Sequence, residues 1–181
     1  MVRLAFVAIA AAVLPQAAAR AGVQPSALVL RATDVPAHYD FDKDNSRPLP
    51  KAFMATNPVT RHLLDRTGYV NGHVVRYLNS DPPRWRYVTS QAFIFRTAAG
   101  ARVFLASLGN RLGARADRRK AVDLGDAGWS YVSASSEPGA VVAWRFGRVV
   151  GVVACQEMAG RRALSLALAR KQQRRIAKAR R

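Results

Sequence analysis

The stretch Val141–Cys155, VVAWRFGRVVGVVAC, decides the fold. Gly147 and Arg148 separate two apolar runs, and a glycine at the first loop position suits the primed turns that join antiparallel strands. The pattern predicts a hairpin of Val141–Phe146 with Val149–Cys155, in which Phe146 faces Val149 and Trp144 faces Gly151. The Trp144 ring then lies over the gap left by Gly151, a pairing that stabilises glycine within a strand. Val149–Val153 is apolar on both faces, as expected of a central strand.

Working upstream, β-branched and aromatic residues mark further strands at Trp129–Ser135, Arg86–Arg96 and His73–Asn79, with a shorter one at His38–Phe41. Asp81-Pro82-Pro83 separates the middle two as a turn, and Asn71-Gly72 reads as either a tight turn or a bulge. Helices alternate with these strands. Pro25 and Ser26 start a short one over Ala27–Ala32, closed before Pro36. Asn57 is a good N-cap and Pro58 a good first residue for a helix to Arg66, with Gly68 as its terminator. Thr97 caps a third, whose Ala101, Phe104, Leu105, Leu108 and Leu112 form an apolar stripe ending at Gly113. The last runs from about Gly160 to Lys178. Asp42–Pro50 reads as a polar loop and Arg115–Lys120 as a basic one. Hairpin neighbours imply a mostly antiparallel sheet. The expected class is an α+β two-layer sandwich of about five or six strands, with helices packed on one face.

The 181 residues, half of them apolar, suffice for one hydrophobic core and are too rich in apolar residues for a disordered chain. Met1–Ala21 has the three parts of a secretory signal: Arg3, the apolar run Leu4–Leu14, and small residues after Pro15. That run is too short to span a bilayer. Three segments are therefore expected: a cleaved signal over 1–21, a single exported domain over 22–169, and a basic C-terminal helix end over 170–181. The mature protein is expected outside the cytoplasm, with no transmembrane segment. The only cysteine, Cys155, excludes an internal disulfide and any cysteine-based zinc cluster, and its place in an apolar strand predicts burial.

The net charge of +18 is unevenly spread. Residues 158–181 hold nine of the 29 basic side chains and no acid. Seven of them, Arg170, Lys171, Arg174, Arg175, Lys178, Arg180 and Arg181, cluster where Ile176 is the only large apolar residue. Such a field attracts polyanions without choosing among wall polymer, anionic lipid and nucleic acid. It also suggests an end with little to bury, contributing little to stability.

Other constellations are thinner. Asp40, Asp42 and Asp44 alternate like the start of a calcium loop, but Asn45 stands where the turn glycine belongs and Lys51 where the bidentate glutamate should be. His38, His62 and His73 are scattered and lack metal-ligand spacing. No nucleophile elbow is present, and Leu124-Gly125-Asp126-Ala127-Gly128 leads into a strand rather than a helix, unlike a phosphate loop. No cofactor, metal or catalytic residue is assigned.

Asp34-Val35-Pro36 after the first helix, Gly68-Tyr69 before a strand, Leu124-Gly125-Asp126-Ala127, and the closing hairpin plus terminal helix together carry a family likeness. The chain resembles the extracellular sensor domain of actinobacterial Ser/Thr kinases and the LpqN-type, Mog1/PsbP-like exported proteins. It departs from the kinase sensors in lacking their disulfide staples. The resemblance implies a sensor-like module for an unidentified ligand or protein partner. The leading expectation is accordingly an exported, non-enzymatic binding module. A polyanion-surface binder acting through the basic helix end is the alternative, and an unrecognised hydrolase the third.

Overall fold

The computed structural model describes residues 23–79, 86–114, 116, 118–133, 139–156 and 161–179. Its strands are β1 (Asp40–Phe41), β2 (Arg47–Pro48), β3 (Tyr69–Asn79), β4 (Arg86–Phe95), β5 (Arg118–Ala121), β6 (Ala127–Ser133), β7 (Gly139–Phe146) and β8 (Val149–Gln156). Its helices are α1 (Lys51–Met54), α2 (Pro58–Thr67), α3 (Ala98–Gly113) and α4 (Arg161–Lys178), and two single 3₁₀ turns, Pro25–Ala27 and Ala32–Asp34, lie near the start. The strands form one antiparallel sheet in the order β1-β3-β4-β8-β7-β6-β5, with β2 also on β3. The class is α+β, as the sequence implies.

The β7–β8 hairpin has the expected register, Phe146 opposite Val149 and Trp144 opposite Gly151. Gly147 supplies the positive φ of the turn, at 58°. A Cβ at position 151 would sit 2.5 Å from the Trp144 ring, so only glycine lets that fully buried indole lie flat on the strand. Local caps also form as expected. Asn57 accepts from the Thr60 amide at 2.8 Å to start α2, and Gly68 (φ 62°) ends it. Thr97 accepts from the Gly100 amide at 3.0 Å to start α3. Asn71-Gly72 is no tight turn: both residues pair with β4, and the bulge falls just before them at Val70, where the β3–β4 register shifts between Tyr69 and Asn71.

Helices cover both faces of the sheet rather than one. Successive residues of a strand point to opposite faces. Val75, Val88, Ala92, Trp144 and Val153 pack with Leu168 and Ile176 of α4. Their neighbours Val74, Phe93, Val150 and Val152 pack with Leu63 and Leu64 of α2 and with Phe104 and Leu105 of α3. A central strand apolar on both sides needs two covers, and the molecule supplies them. The strand count is eight rather than about six, because β2 and β5 fall in stretches that read as loops. The expected helix at Ala27–Ala32 is replaced by the two 3₁₀ turns, since Leu28, Val29 and Leu30 are all buried. Three consecutive buried residues suit a linker threaded between layers. A one-sided helix would expose one of them.

Cys155 is fully buried on the α4 face, and burial pushes its thiol up to about 12. At neutral pH it is a thiol, not a thiolate, and its role is packing.

Candidate functional site

The basic helix end is where sequence expectation and structure meet. An α-helix places residues i, i+3, i+4 and i+7 on one side. Lys171, Arg174, Arg175 and Lys178 follow that spacing and, with Thr33 and Asp34, line a shallow concavity of about 430 Å³ on the protein surface. The opposite stripe, Ser165, Leu168, Gln172 and Ile176, is fully buried. The helix from 170 to 178 is thus no loosely held end. Gln172 reaches into the sheet, its Oε1 accepting from the Ser90 hydroxyl at 2.9 Å and its Nε2 donating to the Gln91 carbonyl at 2.8 Å. The Ser90 hydroxyl in turn accepts from the Leu30 amide at 3.1 Å.

The far wall of the concavity comes from the Ala32–Asp34 turn. Asp34 Oδ2 accepts from Arg175 at 2.6 Å (Nη2) and 3.0 Å (Nε), and from the Arg31 amide at 2.8 Å. Lys171 Nζ donates to the Asp34 carbonyl at 2.6 Å. Two of the four cations are therefore held in place by one aspartate. No acid pairs with Arg174 or Lys178 among the described residues, and both are exposed. Arg170 is exposed outside the concavity's lining, and Arg180 and Arg181 lie outside the described residues. Thr33 and Asp34 were not legible as site residues. Asp34 stands 137 and 141 positions before its partners Lys171 and Arg175, and no local spacing connects them.

The other candidates are dispersed. Asp42 turns its carboxylate onto Arg76 at 2.5 Å and onto Asn45, while Asp40 and Asp44 are exposed. Burial pushes the Asp42 carboxyl up, but the bonds from Arg76 and Asn45 outweigh this and hold it below its usual range. His38 lies tilted against the Tyr39 ring, His62 is exposed on α2, and His73 lies on β3, where burial lowers its pKa. Among the described residues no three His, Cys, Asp or Glu side chains converge as a metal site would require. The Leu124-Gly125-Asp126 motif closes a turn. Gly125 (φ 60°) lies against the Arg145 carbonyl, and Asp126 binds both the Gly147 amide at 2.8 Å and Arg145 at 2.7 Å. No helix among the described residues is long and apolar enough to cross a membrane.

No family model matches the chain, and no curated protein matches it. Among solved structures it is similar to the extracellular domain of PknH from Mycobacterium tuberculosis. That likeness covers 82% of this chain and 94% of the other, at 14% sequence identity and a TM-score of 0.49.

Proposed function

We propose that the chain is an exported binding module that holds linear polyanions along the outer stripe of α4. The observation that carries this reading is the alignment of Lys171, Arg174, Arg175 and Lys178 against a single carboxylate. Seven helical residues rise about 10 Å, so the stripe offers charge along a line rather than at a point. A chain of phosphates or carboxylates, as in an anionic envelope polymer, meets several cations at once and releases its counterions. Asp34 holds Arg175 and Lys171 on the stripe, but its carboxylate also competes with an incoming anion for Arg175. The stripe carries no large apolar residue, so it suits docking on charge more than insertion into lipid.

The test is retention on immobilised heparin and titration with polyphosphate, each from about 50 to about 200 mM salt. Binding should fall linearly on a log–log plot. Arg174→Glu combined with Lys178→Glu should weaken it about tenfold or more and flatten the slope. Equal binding by the variant would remove α4 as the site. Binding to phosphatidylglycerol vesicles but to neither polymer would favour a membrane surface instead.

A further inference from the structure

The sheet ends at β5, and that edge has no neighbouring strand among the described residues. We propose that the free edge of β5 captures an extended acidic segment of a partner protein, adding it to the sheet as a further strand. Strand addition uses backbone groups that point away from the sheet, with side chains on both faces selecting the partner. Both requirements can be checked residue by residue.

The Val122 amide donates to the Gly128 carbonyl at 3.1 Å, continuing the β5–β6 register of Lys120 opposite Ser130 and Arg118 opposite Val132. In an antiparallel pair, hydrogen-bonded and non-hydrogen-bonded positions alternate. Arg119 and Ala121 therefore fall in the non-hydrogen-bonded pairs, and their N–H and C=O groups face outward. They form the template for an incoming strand.

The side chains add charge on both faces. Arg119 lies over the Trp129 ring at 3.7 Å and near Tyr131 at 5.8 Å, which fixes its guanidinium beside the edge. Arg118 and Lys120, one residue either side, alternate to the opposite face. All four β5 residues are exposed. An incoming strand with carboxylates at alternate positions would meet Arg118 and Lys120 as cross-strand pairs, a favourable arrangement. A second copy of β5 would place cation opposite cation, on a chain whose net charge is already +18. Charged edges guard sheets against pairing with themselves. The guard that excludes a second copy here selects an acidic strand.

The probe is an acetylated eight-residue peptide alternating glutamate and valine. Two controls go with it: the same peptide with glutamine for glutamate, and one with alternate backbone nitrogens methylated. Amide hydrogen exchange read by NMR should slow about tenfold or more at Arg119 and Ala121 on adding the acidic peptide. Amides of Arg118 and Lys120, already bonded to β6, should change little. The glutamine and methylated peptides should each bind about tenfold or more weakly, one lacking the charge and the other the ladder. Arg118→Glu with Lys120→Glu should also abolish binding in a protein whose melting curve is unchanged. If that variant fails to fold, the two control peptides decide alone. Equal binding of the methylated peptide would reduce the contact to charge attraction and overturn the proposal. So would unprotected Arg119 and Ala121 amides, or sedimentation showing copies joined through β5.

Discussion

Helix α4 carries two stripes along the same residues, and they do opposite things. The inner one, with Leu168, Gln172 and Ile176, is removed from water and bonded into the sheet. The outer one, with Lys171, Arg174, Arg175 and Lys178, borders solvent and meets the Ala32–Asp34 turn. Composition averages the two and reports a basic tail. Geometry separates a core contact from an electrostatic surface, and a charge-rich segment can be both. Stability should therefore respond to inner-stripe changes and polyanion binding to outer-stripe changes, with little crossover.

The largest effect is expected from the inner stripe. Ile176 is fully buried between the sheet and the N-terminal linker. Ile176→Ala should cost about 2–5 kcal/mol, the loss of a buried side chain plus the cavity it leaves. Deleting residues 170–181 should unfold the domain outright, and denaturant titration of both proteins measures this. Next comes Gln172→Ala, which leaves the buried Ser90 hydroxyl without the acceptor it donates to. Leaving buried polar groups without partners costs about 1–3 kcal/mol. If either change left the denaturation midpoint in place, the helix end would be the detached tail that its composition suggests.

Which parts were legible follows from how local each signal is. The β7–β8 register, the Asn57 and Thr97 caps and the Gly68 stop are written within a few residues of where they act. They could be read directly. The helices on both faces were half-written, because Val149–Val153 is apolar throughout and demands two covers. The short strands β2 and β5 were not readable, since Arg-Pro and Arg-Arg-Lys-Ala have no strand-like pattern and exist only by pairing with neighbours. Of the site, the seven cations were visible as a cluster but not their division. Ile176, the only large apolar residue of the basic segment, does not look sufficient by count, yet one such residue every helical turn or two holds an end down. Asp34 stood out only as part of a short family motif.

A smaller effect belongs where the stripes meet. Asp34→Asn removes the charge that Arg175 contacts while keeping an acceptor, at a site whose two side chains remain partly exposed (22% for Arg175 and 15% for Asp34). Water still reaches this pair and screens it, so its contribution is on the order of 1 kcal/mol. The melting temperature should fall slightly. Polyanion affinity should rise, because the carboxylate that competes for Arg175 is gone. A fall in affinity would mean that Asp34 serves the site mainly by ordering Arg175.

The smallest stability change is expected from the outer stripe itself. Arg174 and Lys178 are exposed, with no acid paired to either among the described residues. Reversing both to glutamate breaks no ion pair and buries nothing. The helix dipole gives a small opposing contribution, because acids near a C-terminus are unfavourable, by about 0.3–1 kcal/mol each when exposed and at low salt. New attraction to Lys171 and Arg175 on the same side offsets part of this. The net shift should stay within about 1 kcal/mol and shrink further as salt screens both contributions. Chemical denaturation at low and high salt reads this directly. A loss as large as that of Ile176→Ala, persisting at high salt, would show that these two side chains pack rather than project. The outer stripe would then be a second structural face instead of a docking surface.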